Sequence, residues 1–372
     1  MRIPILDLKA QLAAYREDAM AAIHRVVDSQ YFIMGPDVVD FENALAAYCG
    51  VTHCVGVSSG TDALLAALMA LDIGPGDEVV TTPFSFFATA GVVARLGAKP
   101  VFVDIDPLTY NLTAHGVRQA MTSRTKAIIP VHLFGQMCDL GPLYDASDRP
   151  PIIEDSAQSL GAMINGKMNG HFGDMACVSF FPSKNLGGFG DGGAVLTSND
   201  AHAERLRMIR LHGSKPKYHH HIVGGNFRLD AIQAAVLAVK LPHLTQWADA
   251  RRVNAARYRT LFDESGLLAT GQVTLPTEAM GTTHVYNQYV IRVQQRDALQ
   301  AYLKTQGIGT MVYYPRPLHT QPCFVDLGYR PGDFPEAERA CQEVLAIPVY
   351  PELPVGAQAE VVAEIARFFA KN

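Results

Sequence analysis

Apolar residues recur along this chain in two rhythms, and the alternation between them lays out the expected elements. Spacings of three and four residues mark helices at 6–27, 38–48, 63–71, 88–96, 200–211, 231–241 and 244–262. In the third of these, Leu64, Leu65, Leu68 and Leu71 share one face. Short runs rich in Val and Ile at 55–57, 78–82, 100–104, 126–131, 151–155 and 175–181 read as strands. Strands that alternate with helices predict a mostly parallel sheet covered on both faces. Beyond a Gly/Thr/Pro-rich loop at 266–281 the order changes to strand 285–293, helix 296–306, strand 310–313 and helices 337–345 and 358–369. The expected class is α/β. A large mostly parallel-sheet unit over 1–245 would precede a smaller C-terminal α+β unit over 246–372.

Composition narrows the classes of function. Of 372 residues, 48% are hydrophobic and 18% charged, which is the balance of a globular protein. The net charge of −5, from 31 basic and 36 acidic residues, gives no support for a nucleic-acid or membrane surface. The longest apolar run, 63–71, is too short to span a bilayer. Residues 1–9 are too few and too polar for a signal peptide, so a cytoplasmic location is the expectation. Six cysteines without a C-x-x-C pair read as reduced, buried thiols. His219, His220 and His221 invite a metal reading. Adjacent residues point different ways, however, and no second ligand group comes after them, so no metal is expected there.

Candidate chemistry gathers where strands end, because sites on such sheets lie at the carboxyl ends of strands. The run 175–181 stops at Pro182, and five of the seven residues from Gly187 to Gly193 are glycine. That many glycines suggest positive φ angles and close backbone approach. Between strand and glycines stands Lys184. On an ordinary loop it would be a solvated charge. Flanked by apolar sequence its ammonium would lose water, its pKa would fall, and the amine would become a nucleophile able to form a Schiff base. Ser58-Ser59-Gly60-Thr61-Asp62 leads from a strand into a helix, whose unpaired first N–H groups can hold an anion. A plain N-cap by Ser59 or Thr61 explains these residues equally well. Asp155 ends a strand, either as a cap on the next helix or as a carboxylate aimed at a protonated ring nitrogen.

The segments 59–63, 155–158 (Asp-Ser-Ala-Gln) and 179–184 (Ser-Phe-Phe-Pro-Ser-Lys), in this order, resemble the DegT/DnrJ/EryC1/StrS family. These are pyridoxal-phosphate sugar aminotransferases of the aspartate-aminotransferase fold, and the resemblance spans nearly the whole chain. It implies that Lys184 forms the Schiff base with pyridoxal 5'-phosphate and shuttles the proton, and that Asp155 pairs with the pyridinium nitrogen. By the same resemblance Gln158 bonds the ring's phenolic oxygen and Phe86 stacks on the ring. Gly60, Thr61 and Ser179 hold the phosphate, together with Asn226 from a second subunit. A homodimer with shared active sites is therefore implied. Arg228 would meet an anionic group of the substrate, and Tyr31, Met34, Tyr313 and His319 would lie along the sugar-nucleotide path. Tyr313 departs from the histidine that many relatives carry there, which leaves substrate detail open. Some relatives replace the lysine by histidine and remove a hydroxyl, and Lys184 argues against that branch.

The implied reaction moves nitrogen from L-glutamate, leaving 2-oxoglutarate, to a nucleotide-linked keto-sugar. The stretch 218–235 looks most like the enzymes of 3-keto sugars, and a UDP-linked 3-keto sugar for lipopolysaccharide or another surface glycan is the expectation. Alternatives are a dTDP-linked 3-keto sugar, a 4-keto-6-deoxy sugar, and a non-catalytic regulator that keeps the fold.

Overall fold

The computed structural model describes residues 1–371; Asn372, the last residue of the second expected unit, lies outside them. Seven strands make the main sheet: β1 (His53–Val57), β2 (Glu78–Thr81), β3 (Lys99–Phe102), β4 (Thr125–Ile128), β5 (Ile153–Asp155), β6 (Met175–Ser179) and β7 (Gly193–Thr197). Hydrogen bonding gives the orders β1-β7-β6-β5 and β3-β2-β4. Parallel bridges Ile128–Ile152 and Val131–Asp155 join the two sets edge to edge. β7 runs antiparallel to both neighbours, and every other pairing is parallel.

Alternate residues of these strands enter different cores, which is what coverage on both faces requires. Cys54, Val178 and Leu196 pack with helices Arg16–Ser29, Pro36–Cys49 and Ala231–Lys240. Their chain neighbours Val55, Cys177 and Val195 pack on the other side with helices Gly60–Ala70 and Ala88–Arg95. The helices begin and end where local chemistry allows. Asn199 accepts from the backbone of Ala201 and His202, and Asp230 accepts from Gln233. Gly50, at φ +72°, closes the helix Pro36–Cys49 in the left-handed conformation.

A separate core forms around strands Val273–Thr274, Tyr289–Val293 and Val344–Ile347, antiparallel and in that order. The 21-residue helix Leu244–Glu264 supplies Tyr258 and Phe262 to it, and Ala357–Lys371 supplies Ile365 and Phe368. The N-terminal Ile3 also packs here and bridges Ile308.

Several expected elements differ. The helix expected at 6–27 is two, Leu8–Ala13 and Arg16–Ser29, broken where Tyr15 turns in to pack on Trp247. The strand expected at 310–313 is a single bridge, Met311 to Ala346. The helix expected at 337–345 is Pro335–Glu343, and Val344–Ile347 is a strand. The strand expected from 285 starts at Tyr289, because Val285 and Gln288 bond instead to the backbone of Gly135 and Phe134. Cys323 is exposed, against the expectation of buried thiols, while the other five cysteines are buried. No helix among the described residues is long and apolar enough to cross a membrane.

Candidate active site

Asp155 is the last residue of β5 and is buried. Its carboxylate accepts from Thr89 Oγ1 at 2.8 Å and from the Ala157 N–H at 3.3 Å. Both donors are neutral, and among the described residues no ion pair holds Asp155. Loss of water raises its pKa, against the pull of these bonds and of the Lys184 charge. Behind it lies a fully buried pair, His132 Nε2 and Glu154 Oε2 at 2.9 Å. The Cys138 N–H donates to His132 Nδ1, so Nε2 carries the proton toward Glu154.

Lys184 comes after β6 across a tight turn in which its N–H donates to the Phe181 carbonyl at 2.8 Å. Part of its side chain reaches the surface of the site, but its amine has lost most of its water. Burial pushes its pKa down to about 8, and the nearby Asp155 charge offsets part of that fall. The glycines beyond it answer a need for close approach. A Cβ at Gly187 would lie 2.2 Å from the Pro182 carbonyl oxygen, and one at Gly193 would lie 2.4 Å from that of Ser59. None of the five from 187 to 193 adopts positive φ, which corrects that half of the expectation. The requirement is space for packed backbone, not a left-handed turn.

The helix Gly60–Ala70 begins at the end of β1, capped by Ser59 Oγ, which accepts from the Asp62 N–H at 3.0 Å. The N–H groups of Gly60 and Thr61 have no partner among the described residues. A Cβ on Gly60 would meet Cβ of Ser179 at 2.6 Å, so this corner stays open only as glycine. Ser179 and Gly60 thus face one another at the ends of two strands.

Gln158 accepts from the Phe134 N–H at 2.7 Å and donates to the Tyr314 hydroxyl at 3.0 Å. Its amide nitrogen keeps a second proton for another acceptor. Phe86 is 58% exposed, and its ring centroid lies 6.4 Å from that of Tyr314. Tyr313 packs edge-on against Tyr314.

The segment Asn226–Asp230 is tied to the same corner. The Phe227 carbonyl accepts from the Ser58 N–H at 3.1 Å, and Asp230 bridges Ile33. Tyr31, Met34 and Arg228 are therefore brought into one neighbourhood. Asn226 and Tyr31 are exposed, and Arg228 makes no hydrogen bond or ion pair among the described residues. His319 stands apart from these. It is buried against Phe334, with Nε2 3.1 Å from Glu338 Oε1. Of the histidine run, His220 and His221 bond to the carbonyls of His212 and Lys215 in a loop. Thr89, His132 and Tyr314 are absent from the expected set. Each acts through a partner 22 or more residues away, and no local pattern marks such a pair.

The donor set suits pyridoxal phosphate. Lys184 offers an amine for the aldehyde, Asp155 a buried carboxylate awaiting a cation, and Gly60 and Thr61 bare N–H groups for a phosphate. The chain matches the DegT/DnrJ/EryC1/StrS aminotransferase family over residues 13–366. It is 51% identical over 99% of both chains to a "pleiotropic regulatory protein" of Geobacillus stearothermophilus. It is 43% identical to the UDP-N-acetyl-3-dehydro-α-D-glucosamine 3-aminotransferase of Acidithiobacillus ferrooxidans, over 98% of this chain and 96% of that one. The crystal structure of S. venezuelae DesV in complex with a ketimine intermediate is similar at a TM-score of 0.94, with 41% identity over 98% of each chain. The chain belongs to the DegT/DnrJ/EryC1/StrS aminotransferase family and is a pyridoxal-phosphate-dependent sugar aminotransferase.

Proposed function

We propose that the protein transfers the amino group of L-glutamate to C3 of a UDP-linked 3-keto sugar, giving an amino sugar for a surface glycan. The observation that carries the reading is the pairing of Lys184, its amine buried after β6, with the buried Asp155 carboxylate at the end of β5, which no cation contacts among the described residues. UDP rests on two relatives named for UDP-linked 3-keto sugars, those of Acidithiobacillus ferrooxidans and Pseudomonas aeruginosa.

When bound, pyridoxal phosphate supplies an electron-poor ring that stabilises negative charge on the carbon bearing the amino group. In this reading Lys184 would hold the cofactor through its amine and would serve as the proton carrier at that carbon. Asp155 would face the ring nitrogen and, as a carboxylate, would hold a proton there. Thr89 and Ala157 hold its carboxylate in place. Gln158, oriented by Phe134 and Tyr314, keeps one amide proton free, and it would present that proton to the ring's oxygen. Phe86 would cover the ring, and Gly60, Thr61 and Ser179 would bind the phosphate.

We assign Asn226 to the phosphate of the neighbouring subunit, which makes a homodimer the smallest complete enzyme. Its exposure supports this, as does that of Tyr31 and Phe86, since all three would otherwise face water. Arg228, free of any partner among the described residues, would meet the diphosphate, and Tyr31, Met34 and Tyr313 would shape the sugar path; His319, buried against Phe334 and bonded to Glu338, would not reach it.

Purified enzyme and L-glutamate should convert a UDP-linked 3-keto hexose to its amine faster than the dTDP-linked 3-keto or 4-keto-6-deoxy counterpart. Preference for the dTDP sugar would move the assignment to that nucleotide. The Geobacillus relative favours a second reading, a regulator of the same fold. A regulator without cofactor is colourless, whereas the aminotransferase is yellow and is bleached by L-glutamate.

A further inference from the structure

One residue before Lys184, Ser183 lies on the wall of a cavity of about 80 Å³. Arg251, Asn287, Gln288 and Tyr313 share that wall. The cavity lies where the long helix carrying Arg251 meets the segment leading into strand Tyr289–Val293.

Arg251 and Asn287 on its wall are buried and short of partners. Arg251 is 5% exposed, and only Nη1 is bonded, at 3.3 and 3.4 Å to the carbonyls of Tyr286 and Asn287. No carboxylate forms an ion pair with it among the described residues; Glu352 acts on it only from a distance. Burial pushes its pKa down to about 10, still far above neutrality. Asn287 is 7% exposed, and among the described residues neither its Oδ1 nor its Nδ2 has a partner; Gln288 Oε1 has none among them either. A buried guanidinium without an anion in contact, and an amide with both ends unmade, are each costly to keep.

We propose that this cavity is the subsite for a carboxylate of the amino donor, with Arg251 as its cation and the Asn287 amide as a second donor. The inference rests on the reading of the protein as a glutamate-dependent aminotransferase. A planar carboxylate matches a guanidinium fork and an amide N–H. The volume admits such a group and excludes a sugar ring, so the site selects between the two substrates that share Lys184. Ser183 on its wall is the chain neighbour of Lys184, on the segment that carries the reacting amine.

The test separates the two half-reactions of the holoenzyme. L-Glutamate bleaches it in one, and the amino-sugar product does so in the other. Arg251→Gln is expected to raise half-saturating L-glutamate at least tenfold and to leave half-saturation by the amino sugar within twofold. Glutarate, which carries no amino group, is expected to lose affinity in calorimetry by a similar factor. L-Alanine tells which carboxylate is held. A loss shared by both amino acids assigns the α-carboxylate, and a loss confined to glutamate assigns the side chain. Asn287→Ala removes only unpartnered atoms and carries the same expectation, a loss of threefold or more, if Arg251→Gln does not fold. Unchanged glutamate and glutarate binding would overturn the proposal and leave the cavity to water. So would an equal loss in the sugar arm. If L-glutamate fails to bleach the wild type, the donor assignment falls, and the glutarate arm still decides the subsite.

Discussion

Thr89 Oγ1 donates to Asp155 Oδ2 over 2.8 Å, and the Ser85 hydroxyl lies 2.9 Å from Thr89 Oγ1. This buried chain supports the carboxylate on which the proposed chemistry depends. Burial raises the Asp155 pKa and the Thr89 bond lowers it. Thr89→Val keeps the shape and removes the donor. A hydrogen bond to a charged group is worth about 1.5–3 kcal/mol. The Asp155 pKa should rise further, so the acid limb of the pH–rate profile should move to higher pH. Cofactor affinity should fall by about one to two decades, since each decade is about 1.4 kcal/mol. An unmoved acid limb would reduce Thr89 to a packing residue.

Lys184 gives a second pH prediction. In cofactor-free protein its reaction with an amine-directed reagent should reach half its maximum near pH 8, against 10.5 for an ordinary lysine. Asp155 favours the charged amine, so Asp155→Asn should lower that midpoint further. A midpoint that rises would contradict the coupling. Stability shifts with pH for the same reason. Between about pH 8 and 10.5 the unfolded chain binds the Lys184 proton and the native one does not. Its contribution to stability therefore grows with pH across that window.

The corner between Gly60 and Ser179 predicts a defect in binding. Gly60→Ala places a Cβ 2.6 Å from that of Ser179, closing the space next to the free N–H groups. The cost should fall on cofactor affinity, by about tenfold or more in a fluorescence titration, with thermal unfolding shifted by only a few degrees. Equal affinity for the cofactor would show that the phosphate binds elsewhere.

Asn226 lies beside the Gly60 corner of its own chain through the Phe227–Ser58 bond, while its side chain is exposed. Mixed dimers decide which subunit it serves. Lys184→Ala and Asn226→Ala proteins, mixed under conditions of subunit exchange, should regain activity. One site would then combine an intact Lys184 with an intact Asn226 from the other subunit. No gain on mixing would assign Asn226 to its own subunit.

The strand-and-helix alternation made the large sheet legible, because each strand is a short apolar run bounded by turns. The antiparallel course of β7 was not, since direction is set by partners and not by local pattern. Val344 and Leu345, which open the run to Ile347, read as the tail of a helix because a continuous apolar run has no period to separate strand from helix. The run is a strand because Tyr289–Val293 pairs with it. Lys184, Asp155 and Gly60 stand out in the sequence because each sits at a strand end among residues that punctuate structure. Gln158 and Tyr314 are 156 residues apart, and Thr89 and Asp155 are 66 apart. Such partnerships arise only in the folded chain. The cavity at Arg251 was likewise invisible, since one arginine on a charged helix face looks solvated until the second core closes over it.

Borohydride reduction of the purified holoenzyme, with peptide mapping of the product, tests the role of Lys184 most directly. One pyridoxyl group is expected on Lys184 and on no other lysine, and that labelling should be lost when L-glutamate is added first. A colourless protein, a label on a different lysine, or labelling that L-glutamate leaves unchanged would contradict the assignment.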